Sequence, residues 1–248
     1  MIKAFCRKGV FFSFILIGCL ILFNVSCGLD TVYYLEAPNN TVHKPDCDSI
    51  DQTDSYFEFW TVDKNYDGLR FLGTEVYYKI YTDSSRLKSE AANLQSLSNS
   101  ETSTSASAER MINTYGFKAL QAEGYSDRSI LIPASGSNQR IYIRLSDYGT
   151  EWPAKITVNG NNIYGSSSLV IPVRNISTRP SFNFQAIKLT QPDKLPQSGD
   201  ADLNTSGTAT AADSWYISMF AVAVGQDSTY SHMYSNILYL GSVKISSD

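Results

Sequence analysis

Residues 215–225 read WYISMFAVAVG, an apolar run led by two aromatics and closed by glycine. Its β-branched and aromatic content predicts a strand, and the apolar run 237–245 (ILYLGSVKI) pairs with it as a second. Working back along the chain, residues 75–81 (EVYYKIY) alternate. Val76, Tyr78 and Ile80 fall on one face, and Glu75, Tyr77, Lys79 and Tyr81 on the other. Residues 56–62 (YFEFWTV) alternate around a bulky aromatic face, and with 75–81 they read as a hairpin pair. Residues 31–36 (TVYYLE) read as an opening strand ended by Pro38, and the polar stretch 39–54, with Pro45 and four aspartates, as a loop.

Between these outer strands the period changes. Residues 84–97 place Leu87, Ala91, Leu94 and Leu97 at three- and four-residue spacings, which predicts an amphipathic helix. Residues 98–107 are Ser/Thr-rich and read as a linker. Helical spacing returns at 108–121 through Met111, Ile112, Tyr115 and Ala119, weakened by Gly116. From Ile130 the period is again two: residues 139–145 (QRIYIRL) set Ile141, Ile143 and Leu145 on one face. Residues 154–158 run into Asn159-Gly160, a type I′ hairpin signal, before 162–164. Residues 169–173 and 182–187 give short strands, and 190–212, rich in Pro, Gly, Ser, Asp and Thr, reads as a long surface loop. The pattern is mainly β with a helix-containing insertion, which suggests a sandwich.

Of the 248 residues, 43% are apolar, 12% aromatic and 18% charged, a folded composition of one or two domains by length. With 20 Lys+Arg against 24 Asp+Glu, nothing favours nucleic acid as a partner. His43 and His232 match no catalytic or metal motif.

The N-terminus departs from this average. Lys3, Arg7 and Lys8 precede 14 largely apolar residues, 10–23, which as a helix extend about 21 Å, short of the ~30 Å hydrocarbon core. An export signal of residues 1–26 fits better than a membrane span. Its removal carries off three basic residues and no acid, taking the charge from −4 to about −7. Cys6 and Cys19 leave with it, so Cys27 and Cys47 remain. Cys47, between Asp46 and Asp48, reads as an inert loop thiol whose pKa the aspartates raise.

Asn24-Val25-Ser26-Cys27-Gly28 resembles the lipobox of bacterial lipoproteins. The resemblance implies cleavage after Ser26 and thioether lipidation of Cys27, with residues 27–30 as a short tether to a membrane. Asn24 stands where the family usually has Leu, a relaxation typical of spirochaete-type lipoproteins. Trp215 to Gly225, followed by Tyr230-Ser231, the 234–237 run YSNI and a closing strand, resembles the last two strands of a fibronectin type III domain. Residues 31–38, 56–62 and 75–81 look like that family's first three. The implied architecture is a fibronectin type III or immunoglobulin-like sandwich built from 31–82 and 214–248, with 83–213 as an insertion carrying two helices and additional β-hairpins. Such domains are binding modules or spacers.

Asp63, Asn65 and Asp67 before Gly68 match the first half of a calcium loop, but position twelve is Thr74 and Glu75 comes one place late. A plain turn has the same composition. Asp200, Asp202 and Asn204 form a second oxygen-rich run without the glycine. Asp147 and Glu151 beside Trp152 form a conceivable carboxylate pair near a sugar-stacking ring, more simply read as turn residues. Tyr33, Tyr77, Tyr81, Tyr230, Tyr234 and Tyr239 lie on or beside strands and serve either a sandwich edge or a recognition surface. No catalytic constellation and no cofactor motif assembles, a structural calcium being the one ion considered. The expectation is an exported, lipid-anchored interaction or structural module of the cell envelope with a protein or glycan ligand. The alternative is an envelope enzyme or glycan-binding protein with its site in the insertion.

Overall fold

A computed structural model describes residues 34–64, 66, 68–98, 106–177, 182–185, 194–205 and 214–246. Residues 1–26, expected to be an export signal ending at Ser26, lie outside these, as do Cys27, Tyr33, Asn65 and Asp67. Nine strands carry the architecture: β1 (Asn39–His43), β2 (Phe57–Trp60), β3 (Arg70–Tyr81), β4 (Arg140–Arg144), β5 (Lys155–Val158), β6 (Asn161–Asn162), β7 (Ser214–Gln226), β8 (His232–Tyr234) and β9 (Leu238–Ser246). Helix α1 (Ser84–Ser98) and the short α2 (Ala106–Glu109), which continues into a π turn at Arg110–Thr114, complete the main elements. Among the described residues no helix is long and apolar enough to cross a membrane.

The fold is mainly β. One sheet runs β1-β2-β4-β5-β6, antiparallel throughout. In the other, β3 pairs with β7, and β7 with β9 and β8. The outer edge of β3 takes three short partners: residues 118–119 and 132–133 antiparallel, and 203–204 parallel. Residues 83–213 thus supply strands to both sheets.

Several expectations are corrected: the helix expected over 108–121 ends at Thr114, and residues 118–119 and 121–122 are short strands. Residues 56–62 and 75–81 do not form a hairpin: β2 pairs with β1 and β4, whereas β3 pairs with β7 in the other sheet. The cause is core formation. Phe57 and Phe59 from one sheet and Val76, Tyr78 and Ile80 from the other bury in the same cluster, meeting across the space between two facing layers. The opening strand is also displaced. Residues 34–38 carry no regular structure, and the strand is the polar run β1, an edge strand paired on one side only, where backbone bonding outweighs composition.

The alternation of 139–145 is realised: Ile141, Ile143 and Leu145 are buried and join Ile156, Ile217, Met219, Val243 and Ile245 between the sheets. The far side of β3 and β7, with Tyr77, Tyr81, Phe220 and Val222, is covered by Leu87, Ala91 and Leu94 of α1 and by Ala108 and Met111. Both faces of these strands are therefore apolar, which explains the unbroken run at 215–224. Asn159 (φ 52°) and Gly160 (φ 81°) form the positive-φ turn between β5 and β6 that their sequence predicts. Gly241 has φ 118° beside a register shift, and a Cβ there would stand 2.5 Å from the Pro45 carbonyl oxygen, which accepts from the Ser242 N–H.

The stretch read as a surface loop, 190–212, is corrected over its described part. Asp200 and Asp202 are buried against Arg174, itself fully buried. Arg174 Nε and Nη2 donate to both oxygens of Asp202 at 2.9 and 2.7 Å, and Nη2 also donates to Asp200 at 2.8 Å. Tyr78 Oη donates to Asp202 at 2.7 Å and accepts from Asn175 N–H. Burial, with Asp202 beside it, holds the Tyr78 phenol well above its usual pKa. Aspartates read as loop formers are here the counter-charge of a core arginine. On the opposite face of β3, Lys79 and Tyr81 donate to Glu90 of α1 at 3.0 and 2.9 Å, Arg86 donates at 2.8 Å, and Asn204 joins at 2.9 Å.

Replacing Arg174 with Met strands two buried carboxylates, and urea unfolding should show a loss of about 3–5 kcal/mol. A midpoint within error of the parent chain would contradict that role.

Burial pushes the Glu90 carboxyl up, but the bonds from Lys79, Tyr81 and Arg86 outweigh it and hold it below its usual range. Its folded pKa lies under the unfolded value of about 4.3. The stabilisation is present above that value and is lost as pH falls through the folded one. Glu90→Gln should therefore unfold more easily at pH 7, by roughly 1–3 kcal/mol, with the gap to the parent narrowing on acidification. Urea midpoints at a series of pH values measure this.

Candidate recognition face

In β2, β4 and β5 the inward positions are apolar, so strict alternation sends Glu58, Trp60, Arg140, Tyr142, Lys155 and Thr157 to the opposite side of the sheet. The register sets them side by side: Glu58 opposite Tyr142, Trp60 opposite Arg140, Tyr142 opposite Thr157 and Arg144 opposite Lys155. They line an open groove of about 530 Å³ that ends at the Asn159-Gly160 turn. Arg140 Nε pairs with Glu58 Oε1 at 2.7 Å, and Lys155 Nζ lies 5.3 Å from the Tyr142 ring centre.

A ring stack extends the groove toward β1. His43 lies flat on Tyr56 (3.8 Å, 13°), and Tyr56 on Tyr142 (5.0 Å, 22°). His43 Nδ1 is 2.7 Å from the Tyr56 carbonyl. Burial, with the Glu58 and Asp54 carboxylates nearby, raises the Tyr56 phenol above its usual value. Arg144 anchors the stack. Its Nε donates to Tyr142 Oη at 2.8 Å and Nη2 to the Thr53 carbonyl at 2.7 Å, and its guanidinium stands 5.2–5.9 Å from the rings of Tyr56, Tyr142, Tyr148 and Trp152. The side chain is buried on the same face of the sheet as Tyr142, so its planar fork fixes ring positions from beside them.

The residues singled out from sequence are distributed elsewhere. Asp63 Oδ2 accepts from the N–H groups of Ser135 and Gly136 at 2.6 and 2.9 Å, tying the 135–136 turn; its two companions lie outside the described residues. Asp147 Oδ1 accepts from Ala154 N–H at 2.6 Å, closing the turn between β4 and β5, while Glu151 and Trp152 are exposed on that turn. Cys47 is buried against Ser242. Burial raises its thiol pKa first, and the flanking aspartates add to that. Tyr77 and Tyr81 are buried, Tyr234 and Tyr239 half-buried, and Tyr230 exposed on the turn between β7 and β8. Sequence reading passed over Trp60, Arg140, Tyr142, Arg144 and Lys155. The signal that could have found them is the polar-aromatic half of the alternation at 56–62, 139–145 and 154–158.

Compared with known proteins, the chain matches no family model, no curated protein and no solved structure.

Arg144→Met removes the donors to Tyr142 and Thr53. It should cost about 1–3 kcal/mol and weaken the near-ultraviolet circular dichroism of the stacked tyrosines. An unchanged spectrum and midpoint would make Arg144 a bystander.

Proposed function

We propose that the protein is an exported, lipid-anchored module of the cell envelope that acts by binding rather than by catalysis. The observation that carries the binding reading is the outer sheet face. There, aromatic and charged side chains that core packing does not require are lined up in register and braced by a buried arginine. A face that served only to meet water would need no such bracing.

The location rests on the N-terminal sequence: a basic start, an apolar run of signal length, and Cys27 behind Val25-Ser26. Acylation at Cys27 is the membrane attachment, since an acidic body is repelled by anionic lipid. The finer fold reading is a fibronectin type III or immunoglobulin-like sandwich. It is supported by the strand neighbours, β1-β2-β4 in one sheet and β3-β7-β9 in the other, an arrangement like the ABE and CFG sets of such sandwiches. In that reading residues 83–213 enlarge the region between the third strand and the last two.

Metabolic labelling with a palmitate analogue tests the anchor. The parent chain should take up label and partition into detergent, and Cys27→Ala should lose both. Label retained in Cys27→Ala would overturn the lipoprotein assignment.

A further inference from the structure

The groove on the outer sheet face has a chemistry that narrows its ligand; the step rests on the binding reading above. Recognition here has to come from side chains, because the backbone groups of β2, β4 and β5 are already paired within the sheet. An extended peptide that adds a strand needs an open sheet edge, so it is not the fitting partner. A purely apolar partner is disfavoured too, because Glu58, Arg140 and Lys155 line the same groove as Trp60 and Tyr142 and would lose water without replacement.

What remains is a ligand with flat apolar faces and hydroxyls around its edge. Trp60 and Tyr142 sit on adjacent strands two residues out of register, diagonal neighbours at about 7–8 Å, so a ring laid in the groove meets both. The Arg140–Glu58 pair presents N–H donors and carboxylate acceptors side by side, which suits hydroxyls that both donate and accept. Charge supplies the last constraint. The chain after signal removal carries about −7, yet the groove holds two cations against one carboxylate, and among the described residues no carboxylate pairs with Lys155. We propose that the groove binds an acidic carbohydrate, its sugar ring against Trp60 and Tyr142, its hydroxyls on the Arg140–Glu58 pair and its carboxylate on Lys155. A volume of about 530 Å³ lies within the range of small-ligand sites, which favours a short stretch of the chain over a long one.

The test uses the full chain in detergent, with a tetramer of galacturonic acid as the acidic probe and a cellotetraose as the neutral one, read by calorimetry. The uronic tetramer should bind more tightly, and its affinity should fall with added salt. Lys155→Gln should weaken the acidic probe about tenfold and leave the neutral one unchanged. Trp60→Ala should weaken both. Urea midpoints for each variant separate lost binding from lost fold, and Lys155, partly exposed, is the variant least exposed to that objection.

Equal affinity for the two probes, or indifference to Lys155→Gln, overturns the acidic specificity. Binding that survives Trp60→Ala places the site elsewhere. If neither sugar binds, a photo-crosslinker at position 60 on intact cells distinguishes the two failures: a protein adduct retains the binding face and removes the carbohydrate, and the absence of any adduct removes both.

Discussion

The fold depends on how β3 is held along its outer edge. That edge has no single long partner; it is closed by short pieces at 118–119, 132–133 and 203–204. Two-residue pairings are weak, and the 203–204 piece is fixed by side chains instead. Asp202, just before it, is bound by Arg174 and Tyr78 on the inter-sheet side, and Asn204 is bound by Glu90 on the helical side. Asp202 lies in the turn just before the two paired residues, where the strand's alternation does not apply, so a single short segment is fastened to both cores at once. Burying these ions is costly, and the geometry offsets it only because nearly every donor finds an acceptor. Arg174 Nη1 is the exception among the three guanidinium nitrogens.

This arrangement explains which parts of the fold were legible in the sequence. Strands decided by their own side-chain pattern were readable: 215–224, 237–245, 139–145 and the Asn159-Gly160 turn all announce themselves locally. Elements decided by distant partners were not. Nothing in 39–43 marks a strand until β2 offers an edge, and nothing in 200–204 marks a buried segment until Arg174, 28 residues before Asp202, supplies the charge. The false hairpin between 56–62 and 75–81 has the same origin. Nearness in sequence favours pairing, but two apolar faces that must bury against each other belong to opposite layers.

The candidate face was hidden for a related reason. The eye for a core selects Phe57, Phe59, Ile141 and Ile143, and the residues interleaved with them are then counted as ordinary solvent positions. Only the register reveals that Trp60, Tyr142 and Lys155, which come from three strands, face one groove. Of the tyrosines singled out by number, Tyr77 and Tyr81 are buried, Tyr234 and Tyr239 pack against the second core and Tyr230 stands on a turn, so abundance was a poor guide and placement a good one.

Rigidity separates this face from the chain's other exposed rings. Tyr230 on its turn is 78% exposed and would surrender side-chain freedom on meeting a ligand. Tyr142 has already surrendered it: Tyr56 stacks on it, Arg144 bonds its hydroxyl, and Arg144 is in turn held by the backbone carbonyl of Thr53. The ordering cost was met during folding, so more of each contact made in the groove is available as affinity. The same bracing ties the face to the loop at 51–55, where Gln52–Asp54 form one turn of 3-10 helix capped by Asp51. A change in that loop should therefore alter binding in the groove without touching a groove residue.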